Sequence, residues 1–257
     1  MNSNARIVSL VPSTTESVCA LGGAAQLVGC TRYCTEPAAA LQRVARVGGT
    51  KNPSREAIAA LQPDLVLANA EENRADDLDW LGSRFRLLVQ TPCTVDAAVQ
   101  ALRELGEAIG PQATAAAFAA RIEAAVVAVR AAPSCVPAPR VFYAVWSKPW
   151  MGANASTFVH DVLTLAGADN VCAGAAARYP AVVVADLVAH DVDVVLLPDE
   201  PWVFDAAQRD ALAAAGTFGR ARLLLCSGRD FCWHGVHMAV GLLRAARLLG
   251  ARRVDVT

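Results

Sequence analysis

Short apolar runs alternate with amphipathic stretches along the first ninety or so positions, and the period switches between the two as it does in βαβ units. "RIVSLVP" (residues 6 to 11 as strand) is followed by "STTESVCALG". That stretch predicts a helix with Ser13 at the N-cap, Glu16 three residues on as its capping-box partner and Gly22 as the stop. "QLVGC" predicts a second strand, and "NPSREAIAAL" a helix capped by Ser54. "PDLVLA" predicts a third strand, Asp76 to Leu81 a helix, and "FRLLVQ" a fourth strand. From Thr94 the pattern becomes helical. "TVDAAVQALRELGEAIG" is one helix and "PQATAAAFAARIEAAVVAVRAA" a second, rich in strong helix formers. At about 1.5 Å per residue the second spans on the order of 30 Å. "PSCVPAP" ends it.

The alternation then restarts. "RVFYAVW" reads as a strand opened by Arg140, as Arg6 opened the first. "STFVHDVLTLAG" is a helix capped by Ser156, "VVVADLVAH" a short helix or turn, "VDVVLLP" a strand and "DAAQRDALAAA" a helix. "ARLLLCS" is a strand, and "HGVHMAVGLLRAARLLG" is read as the last helix. The expected fold is α/β: two Rossmann-like lobes with parallel sheets joined by a long backbone helix. The divisions are residues 1–110 for the N-terminal lobe, 111–133 for the helix and 140–257 for the C-terminal lobe.

Composition narrows the function. Apolar residues make up 54% and charged residues 18%, enough to bury a core. The net charge of −1, from 23 basic and 24 acidic side chains, supplies no field for nucleic acid or an anionic membrane. Arg244, Arg247, Arg252 and Arg253 read as a solvated helix face and tail. No export signal is expected in "MNSNARIVSLVPSTTES", and no apolar run of transmembrane length. The expected compartment is the cytoplasm as the sequence stands, or the periplasm if a leader has been removed. Eight cysteines with no CxxC pair are expected to be mostly free.

The segments "RIVSLVPSTTESVCALG", "LVGCTRYCTEP", "VGGTKNPSREAIAALQPDLVLA", "VWSKPWMGANASTFVHDVLTLAGADNV", "RYPAVVVADL" and "DVVLLPDEPWVF" resemble, in order, the helical-backbone, periplasmic-binding-protein-like family, and most of all its cobalamin-binding branch. The family includes cobalamin-, siderophore- and haem-binding components of ABC importers. The resemblance implies two lobes, a connecting helix, a chelate held in the cleft between the lobes, and no catalysis. It also implies acidic residues that dock an ABC permease if the protein is exported, here Glu71 or Glu72 and Glu200. The expected partner is otherwise a small-molecule metal chelate, bound by a monomer.

Aromatic residues gather at strand ends, and a flat macrocycle is held mainly by apolar area and stacking. The candidate ligand contacts are Tyr33, Glu72, Arg74, Trp146, Trp150, Trp202, Phe204, Trp233 and His234; Phe231 sits in the same neighbourhood. Arg74 suits a propionate or an amide-bearing edge and Glu72 an amide or cation. In "CWHGVHM", Cys232, His234 and His237 are candidate metal ligands. The resembled family usually has Trp-Tyr-Gly there and an Arg shortly after. His234 could ligate a chelated metal axially, and its spacing from His237 would place both on one helix face if the helix has begun. A capping and a surface histidine are the plain alternative.

Catalytic motifs are absent: no GxSxG, Walker loop or GxGxxG. Ser13 at a helix start could meet an anion, though capping explains it. Cys34, in a loop with Arg32, could be a nucleophile paired with His160 or His234. The sequence therefore points to a binding protein for cobalamin or a related corrinoid, with haem, a siderophore or a divalent metal (zinc or iron) as alternative ligands. A metal- or thiol-dependent enzyme on the same scaffold is the rival class.

Overall fold

The computed structural model describes residues 5–133 and 136–250, so Cys135, Arg252 and Arg253 lie outside the described residues. The chain divides into two compact units. One comprises the residues up to Pro92 with Asp96–Arg121 and His234–His237, and the other Cys93–Val95, Ile122–Trp233 and the residues from Met238 onward.

The N-terminal unit contains β1 (Ile7–Ser9), α1 (Pro12–Ala20), β2 (Leu27–Cys30), α2 (Ala38–Leu41), β3 (Ala45–Arg46), α3 (Arg55–Ala60), β4 (Leu65–Ala68), α4 (Ala75–Gly82) and β5 (Leu87–Val89). Most of α5 (Val95–Ile109) belongs to it as well. Its five-stranded sheet has the order β3-β2-β1-β4-β5 with every pair parallel. Helices cover both faces of such a sheet, which is why the interior strand β4 is a continuous apolar run buried at all four positions. Val8, Leu10, Val47, Ile58, Val66 and Leu81 form its core.

The helix α6 (Gln112–Ala131) joins the units, its first half packing with one and its second with the other. No uninterrupted apolar run of transmembrane length occurs, but by length and average composition α6 is apolar enough to cross a membrane, with 20 residues and a mean hydropathy of 1.3. Its packed face explains the composition: Ala115 and Ala119 are buried in its first half, Ile122, Val126 and Val129 in its second.

The C-terminal unit contains β6 (Arg140–Tyr143), β7 (Trp146–Ser147), β8 (Trp150–Met151), α7 (Phe158–Leu165), β9 (Asp169–Asn170), α8 (Val184–Ala189), β10 (Val194–Pro198), α9 (Ala206–Ala214), β11 (Arg222–Cys226), α10 (Arg229–Cys232) and α11 (Met238–Leu249). Its sheet has the order β11-β10-β6-β9, again parallel, and β7 and β8 form a separate antiparallel hairpin. The core gathers Phe142, Leu187, Val195, Leu197, Phe204 and Phe218.

Three helix starts differ from expectation. Helix α1 begins at Pro12 with Val11 as N-cap and no side-chain cap, so the Ser13–Glu16 box does not form. Proline suits the first helical position because its missing N–H would lack a partner there anyway. Helix α7 is capped by Thr157, which accepts from the His160 N–H, while Ser156 bonds Asn154 Oδ1 at 2.7 Å. Helix α11 begins only at Met238, so His234 and His237 precede it and do not share a helix face. Ser54 does cap α3, and Asp205 forms a capping box with Gln208 on α9.

A close approach fixes one glycine. A Cβ on Gly228 would lie 2.5 Å from the Glu200 carbonyl oxygen and 2.6 Å from its Cγ. Gly228→Ala is therefore expected to destabilise by about 1–3 kcal/mol in chemical denaturation. Gly174→Ala, where a Cβ meets nothing within 4 Å, is expected to stay within about 0.5 kcal/mol of the parent. Equal effects would contradict the packing described for the Glu200 turn.

Candidate functional site

In a parallel sheet all strands end at one edge, and ligands gather where neighbouring strands send their connections in opposite directions. In the C-terminal unit that point lies between β6 and β10. Beyond β6 the chain turns into the β7–β8 hairpin, and beyond β10 comes Asp199–Glu200–Pro201–Trp202. The hairpin pairs Trp146 with Met151 and Ser147 with Trp150. Side chains alternate across a strand, so Trp146 and Trp150 fall on opposite faces. Trp146 is 37% exposed and meets Trp202 edge-to-face, with ring centroids 4.6 Å apart. Trp150 turns inward, stacks on Phe204 at 5.8 Å and abuts Phe218. Phe204 is buried in the core. Of the four aromatic candidates in this stretch, Trp146 and Trp202 form the rim and Trp150 and Phe204 its support.

Two buried hydrogen-bond donors of this unit, one of them at the rim, have no partner among the described residues. Trp202 Nε1 and Tyr143 Oη are both buried and unsatisfied. Burial, helped by the nearby Cys232 and Cys226, pushes the Tyr143 hydroxyl well above its usual range, so it remains a neutral donor. An unsatisfied buried donor is unfavourable, typically by about 1–3 kcal/mol, and an acceptor placed there recovers that energy. Below Trp202, burial raises the Glu200 carboxyl above the ordinary glutamate range, against the opposing charge of Arg229. Arg229 Nε lies 3.9 Å from Glu200, and its guanidinium covers the Trp233 ring at 4.5 Å. Trp233 itself is buried. Sequence reasoning did not single out Arg229 or Tyr143; the four-residue spacing of Arg229 and Trp233 is the signal that could have found the first.

In the N-terminal unit the corresponding point lies between β1 and β4. The burst of polar residues after β4 is largely a self-satisfied turn. Asn69 Oδ1 accepts from the Glu71 N–H at 2.7 Å and from that of Glu72 at 3.3 Å. Asn73 Oδ1 accepts from the Asn69 N–H, and its Nδ2 donates to the Thr50 carbonyl. Lys51 Nζ donates to the Glu71 carbonyl. Arg74 is exposed and pairs with Asp76 at 3.7 Å. Tyr33 is 52% exposed, with the Arg32 guanidinium over its ring at 5.0 Å.

Residues His234–His237 belong to this unit and lie against α1. Gly235, at φ +94°, approaches Ser17 so closely that a Cβ would sit 2.2 Å from Ser17 Oγ. The Val236 N–H donates to that hydroxyl at 3.2 Å. His234 Nε2 lies 3.5 Å from Asn69 Nδ2. Because Asn69 Oδ1 already accepts twice, its amide nitrogen is the donor and Nε2 the acceptor. Burial lowers the His234 pKa to about 4, so the imidazole is neutral at pH 7.

The proposed metal set is not brought together. His237 Nδ1 faces Glu16 at 3.8 Å and Cys232 Sγ faces Glu200 at 3.7 Å. Among the described residues no three His, Cys, Asp or Glu side chains are placed to hold an ion. Cys34 is not paired with a histidine either. Its sulfur lies 3.1 Å from Thr15 Oγ1 and 3.2 Å from Thr31 Oγ1, while His160 Nδ1 meets Asn170 Nδ2. None of the described cysteines is in a disulfide. A pocket of about 430 Å³ between α9 and β11, lined by Arg209, Leu212, Phe218 and Leu223, opens at the amino end of β11, away from the rim.

Glu72 gives a pH test of the N-terminal turn. Burial raises its carboxyl pKa, with Lys51 and a Thr50 hydrogen bond opposing. An acid whose folded pKa is raised destabilises once the pH exceeds that pKa, and has no such effect below its unfolded value of roughly 4.3. Glu72→Gln is thus expected to raise the unfolding midpoint at pH 7, with the gain vanishing as the pH falls to about 4. A gain that is independent of pH would contradict the assigned cause.

Residues 7–210 match the Periplasmic binding protein family. The chain is 30% identical over 201 residues to a cobalamin-binding protein of Halobacterium salinarum, covering 74% of this chain and 53% of that one. It therefore spans about half the length of that relative. It is 27% identical over 193 residues to a vitamin B12-binding protein of Vibrio parahaemolyticus, covering 74% of this chain and 69% of that one. Among solved structures, the periplasmic vitamin B12 binding protein of Vibrio cholerae aligns with a TM-score of 0.82 at 21% identity, covering 95% and 96% of the two chains. A periplasmic heme binding protein of Pseudomonas aeruginosa aligns with a TM-score of 0.80 at 26% identity, covering 98% and 95%. Two parallel-sheet lobes joined by a long helix, and a family match across most of the chain, place this protein in the Periplasmic binding protein family.

Proposed function

We propose that this chain is a substrate-binding protein for a metal chelate, cobalamin or a related corrinoid first, and not a catalyst. The observation that carries the reading is the half-exposed Trp146–Trp202 pair at the strand ends of the C-terminal unit, next to the unsatisfied Trp202 Nε1. Such a pair offers a flat apolar wall and one directed donor, which suits a macrocycle edged with hydrogen-bond acceptors. Relatives named for cobalamin and vitamin B12 support the corrinoid. At ~25 cal/mol per Å², a few hundred Å² of apolar burial gives a gross term on the order of 10 kcal/mol, from which ordering costs are subtracted.

Haem is the second reading, favoured by the 26%-identical heme-binding structure. Its ring would use the same wall, and Trp202 Nε1 would meet a propionate. Tyr33, Glu72, Arg74 and His234 on the N-terminal unit, and Trp233 beside Arg229, stand as further candidate contacts. If the protein is exported, Glu71 and Glu200 are the candidate docking acids for an ABC permease. Glu200 is then a residue of two callings, since it also meets Arg229.

Absorbance and calorimetric titrations with hydroxocobalamin, haemin and zinc separate these readings. The corrinoid is expected to bind with a spectral or heat signal, and Trp146→Ala to weaken it about 5–30-fold, the equivalent of about 1–2 kcal/mol of ring contact. Val203→Ala, a change at an exposed non-aromatic position of the same loop, is expected to leave it unchanged. Zinc binding with no uptake of either macrocycle would overturn the proposal.

A further inference from the structure

A second cluster of chemistry lies in the N-terminal unit, where the ligand reading makes no use of it. Cys30 closes β2, and a tight turn with the Cys34 N–H bonded to the Thr31 carbonyl at 3.2 Å brings Cys34 back beneath it. Both side chains are 0% exposed. Arg46, from the adjacent β3, places Nη1 2.8 Å from Cys30 Sγ and donates from the same nitrogen to the Thr31 and Cys34 carbonyls. Thr15 Oγ1 and Thr31 Oγ1 stand 3.1 and 3.2 Å from Cys34 Sγ. The two thiols also hydrogen-bond to each other.

We propose that Cys30 and Cys34 form a two-sulfur site for a soft monovalent cation of the Cu(I) or Ag(I) kind. Two observations carry this. The sulfurs are neighbours inside the fold, and soft ions prefer thiolate ligands. Ligand number agrees, because no third His, Cys, Asp or Glu is placed to complete a zinc-type shell among the described residues, while monovalent d10 ions are satisfied by two sulfurs. Contact between the two thiols holds the Cys34 pKa down and pushes that of Cys30 up.

Binding involves no electron transfer. The ion forms bonds to both sulfurs, the S–H bond of each thiol breaks and its proton passes to solvent, leaving Cys30–S–M–S–Cys34 opposite Arg46. The exposed turn at Arg32, Tyr33 and Thr35 is the cover that must open for entry. This site is separate from the aromatic rim, so it stands or falls independently of the chelate reading.

The test is an anaerobic titration of the full chain with Cu(I), supplied as its acetonitrile complex, in competition with bicinchoninate. One ion per chain is expected to be retained. X-ray absorption at the copper edge is expected to show two sulfur neighbours and no nitrogen or oxygen. Cys30→Ser and Cys34→Ser are each expected to lose retention, and Cys172→Ser, a buried thiol of the other unit, to keep it. Should either serine variant fail to fold by circular dichroism, the coordination shell of the unaltered chain decides. No retention, retention in both folded serine variants, or a shell with more than two sulfurs or with nitrogen would overturn the proposal.

Discussion

Parallel pairing is the constraint from which the site follows. The main sheet of each unit is built only from parallel pairs, so the strands' carboxyl ends share one edge and the loops that leave them carry the available chemistry. The apolar runs of β4 and β10 are buried throughout, which leaves their successors, Asn69–Arg74 and Asp199–Asp205, as the places where polar and aromatic side chains first emerge.

The two edges use that position differently. In the N-terminal unit the polar groups mostly satisfy one another. Asn69 and Asn73 close a turn, and His234–His237 fold onto α1 through Gly235 and Ser17. In the C-terminal unit the aromatic pair is partly exposed, and Trp202 Nε1 is a buried donor without a partner among the described residues. A group already satisfied gains little from a ligand, whereas an unsatisfied buried donor gains the hydrogen bond it lacks.

Much of the fold was legible because buried parallel strands are continuous apolar runs and the helices between them are long enough to show their period. Caps were less so: Pro12 took the first position of α1, and Thr157 displaced Ser156, each a shift set by local hydrogen bonding. The β7–β8 hairpin was not legible, since its strands are only two residues each. With it went the distinction between Trp146 and Trp150, which rests on strand alternation. Cys34 looked like a reactive loop thiol beside Arg32. The turn that buries it, and Arg46 reaching in from β3, depend on strand neighbours that sequence order does not reveal.

The central claim is that a macrocycle lies against the Trp146–Trp202 wall. A crystal structure of the protein with hydroxocobalamin tests it most directly. The account predicts the corrin ring in van der Waals contact with both indoles and an acceptor atom within hydrogen-bonding distance of Trp202 Nε1. A corrinoid bound elsewhere, with that pair untouched and the indole nitrogen still unpartnered, would contradict it.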